Sequence, residues 1–167
     1  MDFPIISADS HITEPANTYL DHIEPSYRDR APRLERNESL GDFFVIDGMK
    51  QPVPMGLVAA AGKPAEEIRI MGTLFEDLHR GGWDPEARLD DQEKDGVSAE
   101  ILYPTVGMVI CNHPDLDYRK ACFDAYNRWI AEYCAYRPAR LLGCGQTAMR
   151  TPEEGIADLE AIKALGL

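Results

Sequence analysis

The chain has 167 residues, with 17 Lys and Arg against 29 Asp and Glu, for a formal net charge of −12. That length holds one ordinary domain with a sizeable core. So acidic a surface argues against a nucleic-acid or anionic-membrane partner and leaves the charge of a small substrate open. No apolar run approaches the ~20 residues of a membrane span, and Met1-Asp2 opens without the basic and apolar stretches of a signal peptide. A cytoplasmic protein with reduced thiols is therefore expected. Cys111, Cys122, Cys134 and Cys144 form no Cys-x-x-Cys pair, which disfavours a zinc knuckle or a thioredoxin-like site. Cys122 and Cys134, on a predicted amphipathic helix, and Cys144, on a predicted strand, read as small buried hydrophobes.

The first element is an apolar, strand-forming run from Phe3 to Ile6, which gives way to Asp9, His11 and Glu14 before Pro15 stops regular structure. Residues two apart on a strand point to one side, so Asp9 and His11 share a face if the strand runs through position 11. A carboxylate and an imidazole converging at the carboxyl end of a buried strand suit a divalent metal. Glu14, just past the strand end, is either a third ligand or a group that orients the ligands. The plainer alternative is a capping Asp and a hydrogen-bonded His.

Residues 15–83 form a long polar connection. Asn17 to Ile23 reads as a helical turn. Leu34 to Arg36 and Phe43 to Ile46 read as paired strands, and Asp47-Gly48 as a hairpin turn with Met49 to Val53 returning. Leu57 to Gly62, small and apolar, either lines a pocket or is a surface loop. A connection this long is unusual unless functional. It either caps a pocket or covers an edge or an oligomer contact.

From Asp84 the rhythm becomes regular. Asp84-Pro85-Glu86 starts a helix that reaches about Lys94 and stops at Asp95-Gly96. Val97 to Tyr103 is the second strand of the parallel sheet, after the strand at the amino terminus, and Pro104 breaks it. Asp115 or Asp117 caps a helix reaching about Tyr136, whose Cys122, Ala125, Trp129 and Tyr133 make one buried stripe. Arg140 to Gln146 is the third strand, and Thr151-Pro152-Glu153-Glu154 starts a last helix ending near Gly166. The tail from Ala161 to Leu167 reads as helix and turn leading towards a fourth strand. Strands alternating with helices imply a parallel sheet with right-handed crossovers.

Asp9-Ser10-His11-Ile12-Thr13-Glu14-Pro15 resembles the first-strand motif of the amidohydrolase-related metal enzymes, a group that includes aminocarboxymuconate-semialdehyde and resorcylate decarboxylases. The stretches Asp95 to Thr105 and Ala125 to Ile130 resemble the family's second-strand signature and the helix after it, so the resemblance runs from end to end of the chain. It implies an α/β fold made of the first three βα units of a TIM barrel, with 15–83 an insertion over the carboxyl ends of the strands. A complete barrel needs at least ~200 residues, so an incomplete, open sheet is expected. The resemblance further implies a divalent metal, zinc or else manganese, held by Asp9, His11 and, as a candidate third ligand, Glu14. A further His and an Asp, the family's proton-transfer group, have no matching positions here. The catalytic residues are therefore expected beyond Leu167, and none is assigned within the chain.

Thr105, His113 and Gln146 fall where a barrel presents substrate contacts; as alternatives, Thr105 and Gln146 are strand-end hydrogen bonders and His113 a loop residue. Arg88 and Arg140 read as structural ion pairs. The implied function is hydrolysis of a small aromatic or unsaturated carboxylic acid. The alternatives are decarboxylation, or a shortened binding or assembly module without catalysis. The expected partners are a small-molecule substrate and either a second copy or a chain carrying the rest of the barrel.

Overall fold

A computed structural model describes residues 3–58 and 60–167. A parallel sheet of three strands forms the centre: β1 (Ile6–His11), β5 (Ala99–Tyr103) and β6 (Leu141–Gly143), in the order β1-β5-β6. Between β1 and β5 in sequence comes an antiparallel sheet of β2 (Arg33–Asn37), β3 (Gly41–Val45) and β4 (Val53–Pro54). β2 and β3 pair from Arg33–Val45 to Asn37–Gly41, as the alternation predicts. The returning strand shrinks to Val53-Pro54, because Pro52 and Pro54 carry no N–H for the ladder.

The helices are α1 (Thr18–His22), α2 (Pro85–Asp95), α3 (Val106–Ile110), α4 (Leu116–Cys134) and α5 (Pro152–Ala164). The predicted caps form. The Asp84 carboxylate accepts the N–H groups of Glu86 and Ala87, Asp115 that of Tyr118, and Thr151 that of Glu154. Gly96 ends α2 at φ 69°, a conformation costly for any side chain. α4 is shorter than expected, and its buried stripe runs through Tyr118, Cys122, Ala125, Tyr126, Ile130 and Tyr133, with Trp129 only partly covered.

The long connection is no loose flap. Its Tyr19, Phe44, Ile46 and Met55 share one core with Leu102 of β5 and with Tyr118, Cys122 and Tyr126 of α4. Tyr19 meets Phe44 edge-on at 6.4 Å. The parallel sheet has two unlike faces. Glu100 and Leu102 point towards the helices, and Leu102 is fully buried. Ile101 and Leu142, which are register partners, point the other way, where Ile6 and Leu142 remain 53% and 38% exposed. This inner face, and the free edges of β1 and β6, have no neighbouring layer among the described residues. No described helix is long and apolar enough to cross a membrane.

Leu167 lies in the turn after α5: its N–H donates to the Ile162 carbonyl at 3.3 Å, and its side chain packs partly buried against the core. That side chain would stand 3.0 Å from a Cβ at Gly143, so the glycine lets the end of α5 approach β6 closely.

Candidate metal centre

The site begins with an irregularity in β1. Ser7 pairs with Glu100 but Ser10 pairs with Leu102, so β1 spends one more residue than β5 over this stretch. A bulge of this kind reverses which side chains face which side. Ser7 and Ser10 consequently lie on the helix side together, their hydroxyls 2.7 Å apart, with Ser10 donating to Glu100 at 2.9 Å. His11 then pairs with Tyr103 and falls on the inner face, its ring centre 5.9 Å from the Tyr103 ring.

Asp9 and His11 come together, with Oδ1 and Nε2 3.5 Å apart. The other ring nitrogen, Nδ1, lies 3.0 Å from the carbonyl oxygen of Pro104. A carbonyl can only accept, so Nδ1 carries the proton, and in the neutral ring Nε2 presents its lone pair towards the carboxylate. Two donors each ~2.1 Å from one tetrahedral ion stand ~3.4 Å apart. The pair therefore fits two ligands of one cation, with the second ring nitrogen fixed as metal-bound imidazoles require.

Glu14 does not join them. It is fully buried, and its two oxygens accept the N–H groups of Thr105, Val106 and Gly107 at 3.1–3.3 Å, with the Tyr19 hydroxyl at 3.4 Å. Burial pushes its carboxyl above the ordinary range despite those N–H groups. Of the two readings of Glu14, ligand or orienting group, this position fits the second: the carboxylate caps α3 and holds the loop whose Pro104 carbonyl grips His11. Among the described residues no three His, Cys, Asp or Glu side chains are grouped to hold an ion.

The substrate candidates are not brought together either. The Thr105 hydroxyl donates to the Ile12 carbonyl at 2.7 Å, tying the end of β1 to the loop after β5. His113 is 3% exposed, under the insertion rather than at the strand ends. Its Nε2 donates to the Asp47 carbonyl at 2.7 Å, Nδ1 accepts the Asp115 N–H at 3.1 Å, and the Tyr118 ring lies tilted against it at 4.5 Å. Both ring nitrogens are thus engaged within the chain, an arrangement that suits the loop-residue reading of His113. Gln146 leans on α3, its amide nitrogen 3.2 Å from the Gly107 carbonyl. His22 bonds Glu132 at 3.1 Å and His79 bonds Asp91 at 2.5 Å.

A cavity of about 400 Å³ opens beside His11 and Thr13. Val58 and Ala60 to Gly62 form part of its wall, with Gly81-Gly82 and the Asp91 side of α2. Ala59, within the stretch read as small and apolar, lies outside the described residues.

The sequence reading missed how His11 is held from behind. Arg88 of α2, 8% exposed, donates Nη2 to the His11 carbonyl at 2.5 Å, Nε to the Gly81 carbonyl at 2.8 Å and Nη1 to Glu100 at 3.1 Å. Glu100, a charge within an apolar strand, was the available signal, since a buried carboxylate demands partners.

No family model matches the chain. Among solved structures, it superposes on amidohydrolase map2389c of Mycobacterium avium subsp. paratuberculosis K-10 with a TM-score of 0.69 and 18% identity, covering 99% of this chain and 48% of that one. It superposes on 2,6-dihydroxybenzoate decarboxylase from Rhizobium with a TM-score of 0.50 and 15% identity, covering 98% of this chain and 36% of that one. The chain thus spans about half the length of the first and about a third of the second. At these identities the likeness is one of fold alone, and the fold is that of part of a TIM-barrel-like α/β domain, a parallel sheet with a long insertion after its first strand.

Proposed function

We propose that this chain is the amino-terminal part of a metal-dependent amidohydrolase-like enzyme that hydrolyses a small aromatic or unsaturated carboxylic acid. The observation that carries the reading is the facing of Asp9 Oδ1 and His11 Nε2 at 3.5 Å with Nδ1 engaged by Pro104. Bound there, zinc or manganese would supply a Lewis acid able to polarise a carbonyl or carboxylate and to lower the pKa of a bound water towards ~7. Asp9 and His11 would hold it, and Pro104, Arg88 and the Glu14-capped loop keep His11 in place. The substrate class rests on the resemblance of Asp9 to Pro15 and Asp95 to Thr105 to the family motifs.

The remaining barrel strands, contributed by a further segment after Leu167 or by a partner chain, would cover Ile6 and Leu142 and pair with β1 and β6. They would also bring the proton-transfer residues. Support comes from the exposure of Ile6 and Leu142 and from the greater length of both fold neighbours. The expected location is the cytoplasm.

The test is metal analysis and turnover of the enzyme, with and without His11→Ala. The reading expects about one metal ion per chain in the parent, loss of most of it in the variant, and amide- or carbon–carbon-bond hydrolysis abolished by chelation. Release of carbon dioxide from an aromatic acid without hydrolysis would assign the decarboxylase chemistry instead. Full activity of a metal-free preparation would refute metal dependence.

A further inference from the structure

We infer that Ser7, Ser10, Glu100 and Arg88 form a polar clamp on the helix side of the sheet that holds the β1 bulge and so aims Asp9 and His11 at the inner face. The inference rests on the proposed metal reading only for what the aimed pair does. In an unbroken strand Ser7, Asp9 and His11 would share a side. Ser7 lies on the helix side, in register with Glu100. Without the bulge Asp9 and His11 would therefore turn towards α2, away from the strand face that faces the barrel interior. Because of the extra residue, side chains three apart meet on one side and His11 crosses to the other.

The clamp is made of contacts that a regular strand would not have. The Ser7–Ser10 hydroxyl contact of 2.7 Å exists only in the bulged register. Ser10 donates to Glu100 Oε1 at 2.9 Å, and Glu100 Oε2 accepts Arg88 at 3.1 Å and Gln92 at 2.7 Å. Arg88 closes the circuit on the His11 carbonyl at 2.5 Å. The His11 peptide is thus fixed from the helix side while its ring is fixed from the inner side by Pro104 at 3.0 Å. Glu100 and Arg88 are positioning residues: they act through Ser10 and the His11 backbone.

The test compares Ser10→Ala, Ser10→Thr and Glu100→Gln with Asp42→Asn, which breaks the side-chain pair of Asp42 with Arg36 in the antiparallel sheet, at 2.8 Å and away from β1. Two quantities are read on each protein: zinc affinity by competition with a chromogenic chelator, and the Nδ1–H resonance of His11 by NMR. Ser10→Ala and Glu100→Gln should weaken zinc at least about tenfold, the scale found for groups that orient metal ligands, and should shift the His11 resonance. Ser10→Thr, which keeps the hydroxyl, and Asp42→Asn should leave both unchanged. Unchanged values in Ser10→Ala overturn the inference, as does an equal loss in Asp42→Asn, which would mark a general stability effect. Should Glu100→Gln not fold, the Ser10 pair decides alone. A parent protein that takes up no zinc refutes the metal reading, and the His11 resonance then decides the clamp by itself.

Discussion

Glu14 lies under the amino end of α3 and takes the Val106 N–H at 3.1 Å across 92 positions of sequence. A helix start needs acceptors for its first N–H groups, and here one buried carboxylate serves three of them. Glu14→Ala leaves those N–H groups without partners and should cost about 2–4 kcal/mol, from ~1–3 kcal/mol per orphaned group with partial relaxation. A drop below ~1 kcal/mol in urea unfolding would contradict this cap.

The same residue makes a pH prediction. Burial raises the Glu14 carboxyl in the folded protein above its ordinary 4.5. The folded state then binds the proton more tightly than the unfolded state. Glu14's contribution is therefore most favourable at acid pH and declines as pH rises through the folded value. The stability difference between the parent and Glu14→Gln should change across that window, with the parent losing ground as pH rises. Parallel stability curves from acid pH to neutrality would contradict it.

Asp42 shows the opposite sign. Hydrogen bonds from Arg36, outweighing the cost of burial and helped by the Phe75 N–H, hold its carboxyl below the usual range. Its contribution is present above the unfolded value and is lost as pH falls through the folded one. Asp42→Asn should cost about 1–2 kcal/mol near neutrality, because Arg36 is half exposed and screening weakens the pair. The cost should vanish in acid, and equal cost at all pH values would count against the assignment.

Gly107 sits where any side chain would collide with its surroundings. A Cβ there would lie 2.3 Å from Gln146 Oε1 and 2.8 Å from the Pro104 ring. Gly107→Ala should destabilise by about 1–3 kcal/mol through overpacking. It should also weaken metal binding, because Pro104 is the residue whose carbonyl grips His11. Wild-type metal affinity in that variant would show that the Pro104 contact does not matter.

The βα rhythm after Asp84 was legible because its signals are local: Asp84 with Pro85, Gly96, and Thr151 with Pro152 announce helix ends within a few residues. α3 was not legible, because its cap comes from Glu14, 92 positions away from Val106. The proximity of Asp9 and His11 followed from their spacing. Which side of the sheet they face did not, because that depends on a bulge held by Glu100 and Arg88, residues from the next helix and strand. The surroundings of His113 were not legible for a similar reason, since its partners at Asp47 and Tyr118 lie in the insertion and on α4.

The most direct test of the metal pair is anomalous diffraction from crystals grown with zinc. The account predicts a peak within about 2.0–2.2 Å of both the Asp9 carboxylate and His11 Nε2, with Nδ1 still bonded to the Pro104 carbonyl. A peak at His79 and Asp91 or at His22 and Glu132, with none between Asp9 and His11, would contradict it.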